Sequence, residues 1–252
     1  MVIRLALPEL TDEEDDVHHW AGLAKTIVAS ASSVDVGVTG SRSPVARHAM
    51  TRSGGLLFSL AEVAPDCAHL VVPGARGPVI EAVASDVSSV PHAARVRGAV
   101  HLTGRAEVMT EHVTDELLEH LELPPGGLVG QLVPETVALE WTVERTRSAA
   151  PLVDVDVADY VHAEVDPLGG WQDGWIAHLD AHHRDDLRDL VADEVQPVAV
   201  VRPVHADATG IVLREHVGSY RRDLRVAFPQ RVGCGCEAVE ALKGLMAVRA
   251  RP

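Results

Sequence analysis

Alternating apolar and polar positions predict β-strands over most of the first half of the chain. Residues 96–108 have Val, Gly, Leu or Ala at every second position, and residues 136–143 alternate in the same way. Short β-branched runs bounded by Gly, Pro, Asp and Ser indicate further strands, at residues 34–38, 55–60, 67–72 and 78–83. Because these strands are short and evenly spaced, and glycines let the longest one bend, we expect a closed antiparallel barrel.

Apolar residues at helical spacing predict helices on both sides of these strands. The first helix, of about twenty residues, should begin after Thr11, whose side chain can cap it ahead of an acidic first turn, and end near Ser32. A second helix is expected over residues 111–121.

The composition changes near Arg147, which predicts a boundary between two domains, residues 1–147 and 148–252. The second domain should contain a histidine-rich helix, three strands and a closing helix. Their expected positions are a strand at residues 197–204, a turn at 207–210, paired strands at 211–215 and 224–228, and the closing helix at 237–248. A β-hairpin between helices is a compact α+β unit, so the predicted fold class is α+β.

The histidine-rich helix carries the densest candidate chemistry in the chain, at His178, His182 and His183. At about 100° per residue, His178 and His182 lie about 40° apart on the helix, whereas His183 lies about 140° from His178. We therefore expect His178 to be a ligand that His182 can join or orient, and His183 to pack against the hairpin. The alternative is a solvated face with ion pairs such as His182 with Asp186.

Charge and cysteine content exclude several classes of function. The net charge is −15 and aromatic residues make up 3% of the 252 residues, which argues against nucleic acid and against anionic membrane surfaces as partners. No apolar run is long enough to span a membrane. The three cysteines form an odd set without an export signal, so we expect a cytoplasmic protein without disulfide bonds.

Specific enzyme motifs are absent from the sequence. It contains no Gly-rich phosphate loop, no G-x-S-x-G elbow, no H-E-x-x-H and no C-x-x-C-H. The pair Cys234 and Cys236 lacks the four-ligand spacing of a structural zinc site, so we interpret it as two small residues in a turn.

Three segments of the second half follow the motifs of a known module in order. Residues 178–183 correspond to H-M-N-x-D-H, and residues 207–214 to a D-x-x-G turn followed by a G-x-x-L-R strand. Residues 222–229 correspond to an R-x-x-F-x-x-P strand through the R-x-x-F spacing of Arg225 and Phe228. Over residues 155–248 the chain thus resembles the iron-related domain at the C-terminus of haem-utilisation proteins of the HugZ type. A plant protein that binds glutamyl-tRNA reductase also carries this domain. The chain departs from the motif at Asp180, where the family has Asn, and at His182, where it has Asp.

The resemblance implies a fold, a cofactor and a set of site residues. In these relatives the module follows an FMN-binding split β-barrel like that of pyridoxamine 5′-phosphate oxidases, and the proteins are usually dimeric. It implies binding of haem or a related tetrapyrrole through histidine, and in some members oxidative haem breakdown. The implied cofactor-binding residues are His178, His182, His183 and Arg222, with His178 and His183 as candidate ligands of the haem iron.

The leading hypothesis is a cytoplasmic, homodimeric haem-binding protein in haem or iron utilisation. Two alternatives stay open: a non-catalytic interaction protein that uses a degenerate barrel as a dimer scaffold, and a flavin-dependent oxidoreductase. Fold alone does not decide between them. Residues 34–109 show no run of basic and hydroxyl side chains that would hold a flavin phosphate, so we do not expect FMN.

Overall fold

A computed structural model describes residues 13–38, 40–63, 77–92, 94–109, 111, 113–144 and 152–249. The expected cap at Thr11, the expected strand at residues 67–72 and the expected boundary at Arg147 lie outside these residues. No helix of the described segments is long and apolar enough to cross a membrane.

The described residues form six helices and eleven strands. The helices are α1 (Glu13–Ser30), α2 (Asp115–His120), α3 (Val157–His162), α4 (Gln172–His182), α5 (Arg184–Leu190) and α6 (Gly235–Arg249). The strands are β1 (Ser33–Val38), β2 (Ser41–Val45), β3 (His48–Met50), β4 (Leu56–Ser59), β5 (Val79–Val87), β6 (Val96–Val108), β7 (Val129–Trp141), β8 (Leu152–Val155), β9 (Val200–Asp207), β10 (Gly210–Val217) and β11 (Tyr220–Ala227).

The first eight strands form one antiparallel sheet in the order β2-β1-β5-β6-β7-β4-β3, and β8 pairs with the second half of β7. The sheet curls into a half-barrel, with β2 and β3 as its ends. The expected closed barrel is therefore, in the described residues, an open one. Helix α1 packs on the sheet core, where Ala24 and Val28 are completely buried, so a helix supplies apolar surface that barrel closure would otherwise supply.

Alternating buried and exposed residues in β6 and β7 supply apolar side chains to the core on one face of the sheet. Val100 and Leu102 of β6 and Leu139 of β7 point inward and are almost fully buried, while the residues between them are more exposed. The prediction of long alternating strands here is confirmed, although β7 begins seven residues before position 136. Helix α2 is shorter than expected because Thr114 caps it, accepting a hydrogen bond from the amide of Leu117 at 3.2 Å.

The second sheet is an antiparallel meander, β9-β10-β11, and α4, α5 and α6 share its apolar core. The predicted turn at residues 207–210 is confirmed: an Asp207 carboxylate oxygen accepts hydrogen bonds from the amides of Thr209 and Gly210. The next turn, between β10 and β11, contains Gly218 at φ +60°, a conformation that glycine adopts without strain.

The two sheets are in direct contact. Val204 of β9 and Val212 of β10 are completely buried in the core of the half-barrel. Strand β8 and the buried Tyr160 of α3 also belong to the half-barrel side. The division of the chain into two domains stays a prediction.

Candidate functional site

The histidine segment is two helices rather than one. Helix α4 ends at His182 and α5 begins at Arg184, and His183 between them has φ −128° and ψ 21°, outside helical geometry. Its amide still donates to the carbonyl of Leu179 at 2.9 Å. The chain therefore changes direction at His183.

This break brings the three imidazoles together. The ring centre of His178 lies 4.9 Å from that of His182 and 5.3 Å from that of His183. The expectation that His183 points about 140° away from His178 and packs against the hairpin is wrong, because a helical rotation of 100° per residue applies only while the helix continues. The expected proximity of His178 and His182 is confirmed.

Hydrogen bonding distinguishes the three side chains. His183 Nδ1 lies 3.0 Å from an Asp186 carboxylate oxygen, which is one turn further on. The expected His182–Asp186 pair is replaced by this contact. Within the described residues, neither His178 nor His182 forms a hydrogen bond through its ring.

His178 and His183 line a cavity of about 430 Å³ between α4 and α6, which we call the histidine cavity. His182 is exposed and lies outside its lining. The other lining residues are mostly apolar and come from two helices far apart in sequence. They are Trp171, Gly174, Trp175 and Leu179 on one side and Val239, Leu242, Lys243 and Met246 on the other.

The walls of the histidine cavity are broad and apolar. The indoles of Trp171 and Trp175 are stacked with their ring centres 4.9 Å apart, and Leu242 is almost fully buried beneath the α6 side. Lys243 places one ammonium group at the cavity, where it pairs with Glu240 on the helix surface. The cavity thus offers apolar surface, two imidazoles and one cation.

Arg222 lies apart from this cavity and is engaged elsewhere. Its Nε is 3.1 Å from a carboxylate oxygen of Glu215, which is 1% exposed, and its guanidinium also donates to the carbonyl of Glu194. A buried carboxylate without a cation is costly, so Arg222 compensates Glu215. The structure does not bring Arg222 together with the histidines.

The α6 wall of the cavity was not anticipated from the sequence. Met246 and Val239 read as ordinary residues of an amphipathic helix, and nothing local connects them with residue 178, more than sixty positions earlier. The one sequence signal for an apolar wall was the pair Trp171 and Trp175. These residues are four positions apart, a spacing that places two indoles on one helix face.

Cys234 and Cys236 are free and exposed. Cys236 lies in the first turn of α6, so only Cys234 is outside a helix and the expectation of two small residues in a turn is wrong. In the described segments, no group of three or more His, Cys, Asp or Glu side chains is arranged to hold a metal ion.

Two solved structures align with most of this chain. A haem-binding protein from Mycobacterium smegmatis superposes with a TM-score of 0.55 and 21% identity, over 92% of this chain and 98% of its own. A protein of unknown function from Agrobacterium tumefaciens gives a TM-score of 0.37 and 16% identity, over 96% of this chain and 99% of its own. No protein-family model and no curated protein matches the chain. The chain thus shares the fold of the mycobacterial protein.

Proposed function

We propose that this protein binds haem in the histidine cavity. The observation that carries the proposal is the position of two imidazoles, His178 and His183, at an apolar cavity of about 430 Å³ walled by stacked tryptophans. Two lines of support are independent of this geometry: the motif resemblance of residues 178–229 and the shared fold with a protein described as haem-binding.

The residues present fit the chemical groups of a haem. Its macrocycle is flat and apolar, and Trp171, Leu242 and Met246 supply apolar contacts. Its iron takes a neutral imidazole as an axial ligand, and its propionates need a cation such as Lys243. The cavity volume lies within the range of about 300–1,000 Å³ that is typical of small-molecule sites.

The spacing of the imidazoles favours one axial ligand. Metal–nitrogen bonds are about 2 Å long, so two histidines on opposite faces of one iron would have ring centres more than about 6 Å apart. The ring centres of His178 and His183 are 5.3 Å apart. One of them would therefore hold the iron, with the other as a second polar group of the site.

We assign the axial ligand to His183, where the sequence alone favours His178. The Asp186 carboxylate accepts a hydrogen bond from His183 Nδ1, which leaves Nε2 with its lone pair and fixes the ring. Most metal-binding histidines donate their second ring N–H in this way. Asp186 is then a positioning residue, and His178 is a second polar group at the same rim.

Titration with hemin, followed by the Soret absorption, tests this proposal. Replacing His183 with Ala should weaken hemin binding more than tenfold, about 1.4 kcal/mol, and Asp186→Asn should weaken it less. His182→Ala is the matched control, since His182 is adjacent but does not line the cavity, and it should bind as the parent does. The proposal fails if the folded double variant His178→Ala, His183→Ala titrates like the parent.

The spectrum of the purified protein also separates the alternative functions. A Soret band favours haem, a flavin absorption band favours a flavin-dependent oxidoreductase, and a colourless protein that ignores hemin favours an interaction protein. We do not expect FMN, because residues 34–109 show no run of basic and hydroxyl side chains that would hold its phosphate.

A role in haem or iron utilisation, including haem breakdown, is the finer part of the proposal and rests on the family resemblance. Bound haem supplies iron chemistry with oxygen, while the protein orients and shields it. Incubating the hemin complex with ascorbate in air tests breakdown: loss of the Soret band with release of iron supports it, and a stable Soret band restricts the function to binding.

A further inference from the structure

A second cavity, of about 480 Å³, lies where the half-barrel meets the second sheet. We call it the intersheet cavity. It is bordered by α1, the end of β7, the segment after α3, and strands β9 and β11, and it shares no lining residue with the histidine cavity. Its most deeply buried lining side chains with polar atoms are Thr26, Trp141, Gln172 and His205, which are only 4–5% exposed. The Thr26 hydroxyl is already satisfied, since it donates to the Gly22 carbonyl and accepts from the Asp166 amide.

The amide of Gln172 is held in one orientation. Its Oε1 accepts hydrogen bonds from the backbone amide of Ala206 at 3.2 Å and from Arg97 at 3.5 Å. Since both partners are donors, the other end of the amide is Nε2. Within the described residues, Nε2 has no hydrogen-bond partner. A donor that faces a cavity is satisfied by water or by a ligand that accepts from it.

Two further polar side chains, Trp141 and His205, line the same cavity as Gln172. The indole N–H of Trp141 also has no hydrogen-bond partner in the described part of the chain. The His205 ring packs edge-on against this indole, with ring centres 5.1 Å apart, and its Nδ1 is unpaired while its Nε2 lies 3.5 Å from Asp207. The deep end of the cavity therefore presents two donors, Gln172 Nε2 and the Trp141 indole N–H, to an acceptor oxygen.

The large ion-pair group at the cavity wall is already complete. Arg225 Nε, NH1 and NH2 together make five hydrogen bonds to Glu144, Asp207 and Thr209. These carboxylates raise the pKa of Arg225, and Arg225 and His205 hold the pKa of Asp207 well below its usual value despite burial. Because the guanidinium has no donor left, Arg225 is not available to bind an anionic ligand.

The charges of the lining make the cavity negative. Besides Glu144 and Asp207, which pair with Arg225, the lining contains the carboxylates of Asp159, Glu164 and Asp166 against the guanidinium of Arg231. Both oxygens of Asp166 accept backbone amides, of Leu168 and Ala208, whereas Glu164 is exposed. A cationic group at the mouth is thus favoured over an anionic one.

We infer that the intersheet cavity binds a small organic amine that also carries a carbonyl oxygen, such as the amide of an amino acid. The carbonyl oxygen accepts from Gln172 Nε2 and the Trp141 indole, and the ammonium group lies near Glu164. This is a second ligand site, and it does not depend on haem in the histidine cavity.

Three related probes test the ligand class: phenylalaninamide, which has both groups, 3-phenylpropanamide, which lacks the amine, and phenethylamine, which lacks the carbonyl. We expect phenylalaninamide to bind best in ligand-observed NMR and calorimetry, and each single-group probe to bind about three- to tenfold more weakly. The Trp141 indole N–H resonance should shift with phenylalaninamide and stay in place with phenethylamine. Equal binding of all three probes, or none, overturns the inference.

Variants locate the binding. Trp141→Phe keeps an aromatic ring and removes the donor. It should weaken the binding of phenylalaninamide about three- to tenfold, to an affinity close to that of phenethylamine for the parent. Glu164 is exposed, so Glu164→Gln should leave the fold intact. This variant should also weaken the binding of phenylalaninamide. Trp171→Phe, in the histidine cavity, is the matched control and should bind the probe as the parent does. If Glu164→Gln and Trp141→Phe both leave affinity unchanged, the site is elsewhere.

Hemin titration of the same variants keeps the two proposals apart. Trp141→Phe should titrate with hemin as the parent does, and saturating hemin should not displace phenylalaninamide. Failure of hemin binding with retained probe binding rejects the proposed function alone. Competition between hemin and phenylalaninamide would show that they share one site, and it would overturn the inference of a second site.

Discussion

Arg97 of β6 and Asp173 in the first turn of α4 form an ion pair with 3.0 Å between nitrogen and oxygen, across the junction of the half-barrel and the second sheet. Arg97 is 1% exposed, pairs also with Asp86 of β5, and donates to the carbonyl of Val204 at 3.2 Å. One buried guanidinium thus connects β5, β9 and α4. Its nearby carboxylates raise the pKa of Arg97 despite burial, so it stays charged.

Removal of this guanidinium should be costly. Arg97→Met leaves Asp86, whose side chain is 13% exposed, without its cation, and we expect a loss of about 3 kcal/mol in the free energy of unfolding. Asp173→Asn is the matched control: this carboxylate is 41% exposed, so its loss should cost about 1 kcal/mol or less. Urea unfolding measures both. Similar small losses for the two variants would contradict a central role for Arg97.

Alanine substitutions at Gly40 and Gly54 distinguish the cost of a positive φ from the cost of steric overlap. Gly54 and Gly40 have nearly the same φ, +82° and +84°. A Cβ on Gly54 would overlap the ring of Tyr160, whose hydroxyl donates to the Gly54 carbonyl at 3.0 Å, while a Cβ on Gly40 meets nothing within 4 Å. Gly40→Ala should cost about 1–2 kcal/mol from φ alone, and Gly54→Ala at least about 2 kcal/mol more. Equal melting temperatures of the two variants would refute this account.

Local patterns explain why much of the fold could be predicted. The alternation in β6 and β7 follows from burial of one sheet face, and the turn at Asp207 follows from a carboxylate that satisfies two nearby amides. The closing helix is also confirmed, as α6. Each of these features is determined by residues close together in sequence.

The candidate site depended on contacts that a local pattern does not contain. The break at His183 occurs inside a run with helical periodicity, and it determines which imidazoles meet. Trp141 reads as a strand residue and Gln172 carries no sequence signal, and only the packing of the two sheets places them in one cavity. Tertiary contacts thus decided both cavities, whereas the motif resemblance identified the histidines and Arg222 without the walls around them.

The expectation of a homodimer can be tested on the outer face of the half-barrel. Val79 of β5 and Val133 of β7 lie on either side of Arg105 in one row across the sheet, and they are 46% and 40% exposed. Light scattering should give twice 26.9 kDa for the parent. Val79→Lys with Val133→Lys should shift the protein towards monomer, while Val198→Lys, at a 77% exposed position near the second sheet, should not. A monomeric parent at micromolar concentration would contradict the expectation.

His92 makes stability depend on pH below neutrality. Burial, with the charges of Arg214, His216 and Arg202, lowers the pKa of His92 from 6.5 to about 4. Its ring centre lies 6.0 Å from that of His216, whose pKa is also lowered, first by burial and then by Arg214. Both imidazoles are therefore neutral in the folded protein at a pH where an unfolded chain takes up protons.

The sign of the effect follows from proton binding. Between pH 6.5 and about 4 the unfolded state binds more protons at His92 than the folded state, so the free energy of unfolding falls as the pH falls through this window. His92→Gln removes that contribution, and its stability should decrease less than that of the parent between about pH 7.5 and about pH 5. Urea unfolding at both pH values measures the difference, with His182→Gln as an exposed control. If His92→Gln and the parent lose stability equally on acidification, the neutral state of His92 does not contribute to the pH dependence.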